Sequence, residues 1–252
     1  MKRVDFEIQL NTLLNVELIK DYCPNGLQVE GTNTINKVVT GVTASMALIE
    51  QAIAEKADAL VVHHGYFWKN ETSVIRGIKY QRIKALLENN INLFAYHLPL
   101  DVHPQLGNNA QLANLLAIDG VNAVESVSPL GVLMQGKLAT AIAASDFSQQ
   151  ISEKLQRQCL HIAPIGDKPI QRVAWCTGGG QDFIEQAAEQ GVDAFISGEI
   201  SEKTTHIARE MNIHYFAAGH HATERYGVKS LAEYINNNLA IDAKFIDVDN
   251  PA

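Results

Sequence analysis

The sequence predicts an α/β protein built from two related βαβ-type halves, and two observations support this prediction. Apolar runs of strand length alternate with amphipathic segments of helix length, which is the pattern of parallel sheets with helical crossovers. The pattern also occurs twice, because residues 38–65 align without a gap with residues 173–200, at the offset of 135 residues that separates Asp58 from Asp193. A repeat of a whole supersecondary unit indicates internal duplication. We expect the halves to pack around an inter-domain cleft.

The aligned segments share the order of their elements. Each has an apolar run, a turn rich in Gly, Thr or Ser, a helical pattern and a second apolar run, and Ile-Glu-Gln-Ala begins at both Ile49 and Ile184. Each copy then continues through a second helical pattern into Asn-Ile and another strand that runs into histidine. We therefore divide the chain into an N-terminal half, residues 1–125, and a C-terminal half, residues 126–252. The join is expected in the polar segment 121–129.

Composition and charge restrict the classes of function. The 252 residues are 46% hydrophobic and 19% charged, which is typical of a globular protein with a substantial core. With 20 basic against 28 acidic residues and no Lys/Arg run, the net charge of −8 predicts no nucleic-acid partner. No apolar stretch reaches the roughly 18 residues of a membrane span, and Asp5 and Glu7 interrupt any signal-peptide core. Three scattered cysteines do not suit a disulfide framework, so we expect a cytoplasmic protein.

Histidines and carboxylates follow several of the predicted strands. An apolar run beginning at Leu60 ends in two histidines, and the strand beginning at Leu93 runs into another histidine and then an aspartate. Open α/β sheets bind ligands beyond the carboxyl ends of their parallel strands. Imidazole and carboxylate ligands suit zinc, manganese, iron, cobalt or nickel. The residues that lie at these strand ends are His63, His64, His97, Asp101, Glu199, His220 and Glu224.

The spacing of these residues favours two ions over one. Neighbouring residues on a strand point to opposite sides, so His63 and His64 cannot easily share an ion but could each bind one of a pair. His220 and Glu224 lie four residues apart at the start of a predicted helix and can face the same way. The two oxygens of Glu224 could bridge two ions, which lie about 3.5–4 Å apart in two-metal sites. Glu199 could line the cleft or cap a helix.

Two further motifs leave alternatives open. The segment 177–180, Thr-Gly-Gly-Gly, could cradle an anion, but it lacks the P-loop lysine and serine and is more typical of a tight βα turn. The segment 66–69, Tyr-Phe-Trp-Lys, could stack on a planar base, pack in the core or contact another subunit. Cys176 has no neighbouring histidine in the sequence and does not suggest a catalytic thiol. The remaining histidines that we expect at the surface or in the core are His103, His161, His206 and His214.

Together these motifs resemble the signature segments of the NIF-three-like family, whose members are often called GTP cyclohydrolase 1 type 2 homologues. The matching segments are His63-His64-Gly65, residues 97–101, residues 219–224 and Asn-Gly-Leu-Gln-Val at residues 25–29. The resemblance covers essentially the whole chain, in order, and is closest to the short bacterial form. It implies a dinuclear centre in which His64 and Asp101 hold one ion, His63 and His220 hold the other, and Glu224 bridges them. It also implies a homohexameric ring.

Two hypotheses of function follow from this resemblance. In the first, the protein is a metal-dependent hydrolase that acts on a nucleotide or a related small molecule, with two divalent ions per chain, and His97 or Glu199 moves protons. For a ring opening of the GTP type, the attacked atom is C8 of guanine. In the second, the protein is a non-catalytic metal-handling protein, a metallochaperone or a sensor. The same residues serve both hypotheses.

Overall fold

The computed structural model describes residues 1–166 and 168–252, and helices alternate with strands along the chain. The N-terminal elements are α1 (Arg3–Leu13), β1 (Gly26–Val29), β2 (Lys37–Thr43), α2 (Met46–Ala54), β3 (Ala59–His64), α3 (Gly77–Glu88), β4 (Asn92–Ala95), α4 (Leu98–Val102) and α5 (Asn108–Leu115). They are followed by β5 (Asp119–Ala123), β6 (Met134–Ile142), α6 (Ala144–Leu155), β7 (Leu160–Ile162), β8 (Ile170–Cys176), α7 (Ile184–Glu189), β9 (Ala194–Ser197), α8 (Glu202–Glu210), β10 (His214–Ala217), α9 (His220–Leu239) and β11 (Asp242–Phe245). Short 3-10 helices span Val16–Leu18 and Gln181–Phe183.

The first compact unit contains residues 1–100 and 227–249. Its sheet has the strand order β1-β4-β3-β2-β11, in which β4, β3, β2 and β11 run parallel and β1 pairs antiparallel with β4 at one edge. Leu93 packs in a cluster with residues of α2 and α3, whereas the next residue, Phe94, meets Phe6 of α1 with ring centroids 5.3 Å apart. Both faces of β4 are therefore covered, which explains why Leu93, Phe94 and Ala95 are apolar in succession.

The second compact unit contains residues 101–226 and 250–252. Its sheet has the order β5-β6-β8-β9-β10-β7; β8, β9 and β10 run parallel, and the outer pairings are antiparallel. Trp175 is fully buried in the core, and its Nε1–H donates to the backbone oxygen of Asn109 at 3.0 Å. This bond satisfies the one polar group of the indole inside an apolar cluster. The two sheets, with helices between their parallel strands, confirm the predicted α/β fold class.

The two sheets repeat the same strand register. In the first unit Val38 pairs with Ala59, and in the second unit Val173 pairs with Ala194, so both pairings lie at the offset of 135 residues found in the sequence. The helix between the paired strands is Met46–Ala54 in the first copy, and its counterpart is the 3-10 helix and α7 in the second. The equivalence of the βαβ units therefore extends from the sequence to the hydrogen-bonded register.

An aspartate stabilises the start of this unit in both copies. Oδ2 of Asp58 accepts a hydrogen bond of 3.0 Å from the backbone N–H of Lys37, and Oδ2 of Asp193 accepts one of 2.8 Å from that of Arg172. Each carboxylate also accepts a bond from the preceding backbone N–H. The aspartate therefore joins the beginning of one parallel strand to the chain that enters the next.

The extent of the compact units differs from that of the predicted halves. The segment 101–125 belongs to the second unit, and residues 227–249, which include the parallel edge strand β11, belong to the first. The boundary between residues 125 and 126, and the inter-domain cleft, stay predictions. In the part of the chain that the structure describes, no helix combines the length and the hydropathy that a membrane crossing requires.

Candidate metal centre

The first unit brings three of the predicted site residues together. His63 and His64 end β3, and His97 follows β4, which pairs in parallel with β3. One ligand atom from each of the three side chains lies within 4.8 Å of the other two. The ring centroid of His63 lies 4.5 Å from that of His64 and 5.1 Å from that of His97. The carboxyl ends of adjacent parallel strands thus assemble a cluster of imidazoles, as strand order predicts.

The structure removes the reason for expecting that His63 and His64 cannot easily share an ion. Their rings converge although the two residues are neighbours on a strand. His64 is the last residue of β3, so the alternation of side chains that operates within a strand no longer constrains it. The cluster could therefore hold one ion or contribute to two.

Hydrogen bonds fix the ring of His63. Its Nδ1 lies 2.9 Å from the backbone oxygen of Tyr96, and the side chain is fully buried. A carbonyl oxygen only accepts, so Nδ1 carries a proton, and in the neutral ring Nε2 keeps its lone pair. His64 is half-buried, with Nδ1 at 3.3 Å from Oγ1 of Thr43. An imidazole with its Nδ1–H on a carbonyl is oriented as metal-binding histidines are.

His97 is held by a carboxylate that the sequence patterns did not identify. Nδ1 of His97 donates to Oδ1 of Asp21 at 2.8 Å, and Oδ2 of Asp21 accepts from the backbone N–H of Leu98 at 2.8 Å. Burial alone raises the pKa of Asp21, but the hydrogen bonds from His97 and Asn25 outweigh burial and hold it below its ordinary value. Asp21 is therefore ionised. Asp21 lies four residues before the segment 25–29 that resembles the family. This proximity was the available sequence signal for Asp21.

The segment 25–29 supports this arrangement directly. Oδ1 of Asn25 accepts from the backbone N–H of His97 at 2.7 Å, and its Nδ2 donates to Asp21 at 2.9 Å. Gln28 accepts from the backbone N–H of Tyr66 at 2.7 Å and donates to the oxygen of the same residue at 3.1 Å. These side chains tie the segment to the loops that follow β3 and β4. Asn25 thereby helps to position His97.

The second unit brings His220 together with two carboxylates. His220 begins α9, with Nδ1 at 2.6 Å from Oε1 of Glu199 and Nε2 at 3.1 Å from Oε2 of Glu224. Burial alone lowers the pKa of His220, but Glu224 and Glu199 together raise it to about 9. The side chain of Glu199 therefore contacts His220. It does not cap α8, whose N-cap residue is Ser201.

The Thr-Gly-Gly-Gly segment packs against the carboxylate of Glu224. Gly178 has φ of +63°, and a Cβ there would overlap Oε1 of Glu224 and lie 3.1 Å from Nε2 of His220. The backbone N–H of Gly178 donates to Oγ1 of Thr223 at 3.0 Å. The segment is thus the turn between β8 and the following 3-10 helix, and its glycine allows the backbone to approach the side chains of α9 closely.

Asp101 lies in the same unit, at the end of α4. Its Oδ1 accepts from Nδ2 of Asn108 at 2.8 Å, and its side chain is buried. Burial raises the pKa of the Cys176 thiol well above its ordinary value, and the nearby carboxylates of Asp101 and Glu224 raise it further. Cys176 is therefore protonated, in agreement with the prediction that it is not a catalytic thiol.

Four other histidines have packing or surface roles, as expected. Nδ1 of His103 accepts from the backbone N–H of Leu106 at 3.0 Å and closes a turn. His206 is exposed beside Glu202. His161 and His214 form a hydrogen-bonded pair of 3.0 Å at the start of β10.

Comparisons with known proteins agree with the recognised motifs. The family model described as Duf34/NIF3 (NGG1p interacting factor 3) matches residues 1–251. A Vibrio cholerae protein named "GTP cyclohydrolase 1 type 2 homolog" is 59% identical over 252 residues, and the Escherichia coli K12 protein of that name is 53% identical; both alignments cover 100% of each chain. The solved structure of "protein ybgI, unknown function" matches with a TM-score of 0.96 and 52% identity, and TTHA1606 from Thermus thermophilus with 0.91 and 29%, each over 100% of both chains.

Proposed function

The chain belongs to the Duf34/NIF3 family, and on that premise we propose that it binds two divalent metal ions and hydrolyses a nucleotide or a related small molecule. One observation carries the metal proposal. In each of three histidines, Nδ1 is hydrogen-bonded to a fixed acceptor. The acceptor is a backbone oxygen for His63, the carboxylate of Asp21 for His97, and that of Glu199 for His220. Histidines that bind metal ions are held in this way, because the acceptor orients the ring and fixes the tautomer.

The donor atoms fit borderline divalent cations. Imidazole nitrogen and carboxylate oxygen together suit zinc, manganese, iron, cobalt or nickel, and ligand type alone does not choose among them. We assign His64 and Asp101 to one ion, His63 and His220 to the other, and Glu224 to both. The convergence of His63 with His64, and of His220 with Glu224, brings the proposed ligands of each unit close together, and the family resemblance supports their division between two ions.

The remaining residues orient ligands and move protons. A divalent ion held by these residues would lower the pKa of a water molecule and so would supply a nucleophile near neutral pH. Asp21 holds His97 with its proton on Nδ1, which leaves Nε2 to accept a proton from the reacting group. Glu199 holds the ring of His220 in the same manner. The name shared by the relatives favours GTP as the first nucleotide to test.

Metal content is the first test. Protein purified without an affinity tag is equilibrated with each candidate metal, washed and analysed by plasma mass spectrometry. We expect about two ions per chain in the wild type, a sharp loss in Glu224→Ala, and no loss in His206→Ala, whose histidine is exposed and outside the site. A wild type that retains none of the metals contradicts the proposal.

Turnover is tested separately on the metal-loaded protein, with GTP and other nucleotides under reducing conditions. We expect His97→Gln to retain its metal and to lose turnover, because the side chain moves a proton and does not hold an ion. A loss of metal in His97→Gln would make His97 a ligand. Bound metal without turnover of any nucleotide would favour the metal-handling alternative.

We also propose that the chain forms a hexameric ring in the cytoplasm. The family resemblance supports the ring, and three cysteines outside disulfides, Cys23, Cys159 and Cys176, suit a reducing compartment. Light scattering during size-exclusion chromatography tests the ring, and we expect six times the mass of one chain. A monomer or dimer at micromolar concentration contradicts it.

A further inference from the structure

Two aromatic side chains border the three-histidine cluster of the first unit. The ring of Trp68 lies 4.9 Å from that of His97 and 6.1 Å from that of His64. The ring of Tyr22 lies 6.0 Å from His97, and this side chain is 58% exposed. We propose that Trp68 and Tyr22 form a stacking site for the planar base of a purine nucleotide. This inference rests on the proposed function and names the substrate class for the same site.

The loop that carries Trp68 is organised by the carboxylate of Glu71 and its ion pair with Lys79. Oε2 of Glu71 accepts from the backbone N–H of Phe67 at 2.7 Å and from that of Trp68 at 3.1 Å. Nζ of Lys79 lies 3.2 Å from Oε1 of Glu71, and the side chain of Lys79 is only 9% exposed. Phe67 adopts φ of +65°, a conformation that is costly for a residue with a Cβ. The bonds to Glu71 hold the loop in this conformation.

Further hydrogen bonds join the Trp68 loop to the segment of Tyr22 and fix the indole of Trp68. The backbone N–H of Lys69 donates to the oxygen of Tyr22 at 2.7 Å, which joins the Trp68 loop to the segment of Asp21. Nε1 of Trp68 donates to the oxygen of Gly65 at 3.3 Å and fixes the indole. The indole is therefore held in place, and the backbone of Tyr22 is tied to the Trp68 loop. A preorganised aromatic surface loses little entropy when a ligand binds.

The neighbours of Trp68 have roles in packing that Trp68 does not share. Tyr66 is buried and its hydroxyl donates to the oxygen of Ala44 at 2.7 Å. Phe67 packs beneath Lys79, whose Nζ lies 4.6 Å from the ring centroid. Trp68 and Tyr22 instead keep part of their surface exposed next to imidazoles. An indole and a phenol in this position offer π-faces to a flat heteroaromatic ring, and a bicyclic purine overlaps an indole over the larger area.

Fluorescence gives the first test. Trp68 and Trp175 are the two tryptophans of the sequence, and Trp175 is fully buried, so a ligand that quenches emission by stacking acts on Trp68. Guanosine is the probe, because it has no phosphate to bind a metal ion, and ribose is its control without a base. We expect guanosine to quench the emission and ribose to leave it unchanged. Absence of quenching by guanosine, adenosine and their monophosphates overturns the stacking site.

Variants separate the stacking site from the metal site. Guanosine affinity is measured by equilibrium dialysis, and metal content is measured in the same preparations. We expect Trp68→Leu to weaken guanosine binding about tenfold or more, Trp68→Phe to weaken it less, and Tyr80→Ser, which changes an exposed tyrosine on α3, to leave it unchanged. Wild-type affinity in Trp68→Leu overturns this inference even if metal is bound. Absence of metal from the wild type overturns the proposed function, whereas the stacking site is still decided by the guanosine affinities alone.

Discussion

Nδ1 of His97 donates a hydrogen bond of 2.8 Å to Oδ1 of Asp21, whose side chain is 2% exposed. The other oxygen of the same carboxylate accepts from the backbone N–H of Leu98. Asp21 therefore orients the imidazole and also fixes the chain immediately after it. One buried, ionised group in the N-terminal segment thus decides the tautomer and the position of a residue that lies 76 positions later in the chain.

Asp21→Asn tests this relationship. The amide keeps an acceptor but loses the charge, so we expect the free energy of unfolding to fall by about 1.5–3 kcal/mol, the size of a hydrogen bond to a charged group. Urea denaturation measures the change, and ¹⁵N shifts of the imidazole report whether Nδ1 keeps its proton. Asp182→Asn is the control, because that carboxylate is 66% exposed. Unchanged stability together with an unchanged tautomer would show that the contact does not position His97.

Gly178→Ala tests the close approach of the backbone to Glu224. A Cβ at this position overlaps Oε1 of Glu224, and φ is +63°. Gly77 has φ of +59°, and no atom lies within 4 Å of the position that a Cβ would take there, so Gly77→Ala isolates the conformational cost, about 1–2 kcal/mol. We expect Gly178→Ala to lower the melting temperature more than Gly77→Ala and also to lower metal content. Equal effects of the two substitutions would show that Glu224 moves aside without consequence.

Asp193→Asn tests a pH dependence of stability away from the site. Burial alone raises the pKa of Asp193, but hydrogen bonds from the backbone N–H groups of Arg172 and Gln171 and from Lys168 outweigh burial and lower it. A lowered pKa means that the carboxylate stabilises the fold above its unfolded pKa of 3.8 and that this contribution disappears as the pH falls through the folded pKa. We expect the variant to lose stability at pH 7 and to show a flatter decline between pH values of about 5 and 3. Parallel acid titrations of the two proteins would contradict this.

Glu71→Ala tests the organisation of the Trp68 loop. The substitution removes the acceptor of two backbone N–H groups and leaves Lys79 without its carboxylate. We expect the emission of Trp68 to shift to longer wavelength and its anisotropy to fall, while the fully buried Trp175 provides an unchanged background. Glu88→Ala, at an exposed ion pair on α3, serves as the control. An emission spectrum identical to the wild type would show that the loop does not depend on Glu71.

The sequence predicted the strand-end histidines because the hydrophobic pattern of a strand is a local property. The apolar run before His63 and the one before His97 identify parallel strands, and parallel strands end at one edge of a sheet. Asp21 could not be found in this way, since it follows a short 3-10 helix and not a strand. Its role depends on a contact between residues far apart in the chain, and no periodicity records such a contact.

Local pattern also determined the internal duplication, whose offset of 135 residues reappears unchanged in the register of both sheets. Tertiary structure alone decided that β11 joins the first sheet beside β2, that Glu199 contacts His220, and that Gly178 makes room for Glu224. The difference has a physical cause. Hydrophobic period and helix spacing are fixed by the geometry of a few consecutive residues, whereas side-chain partners and close backbone approaches are fixed by how whole elements pack.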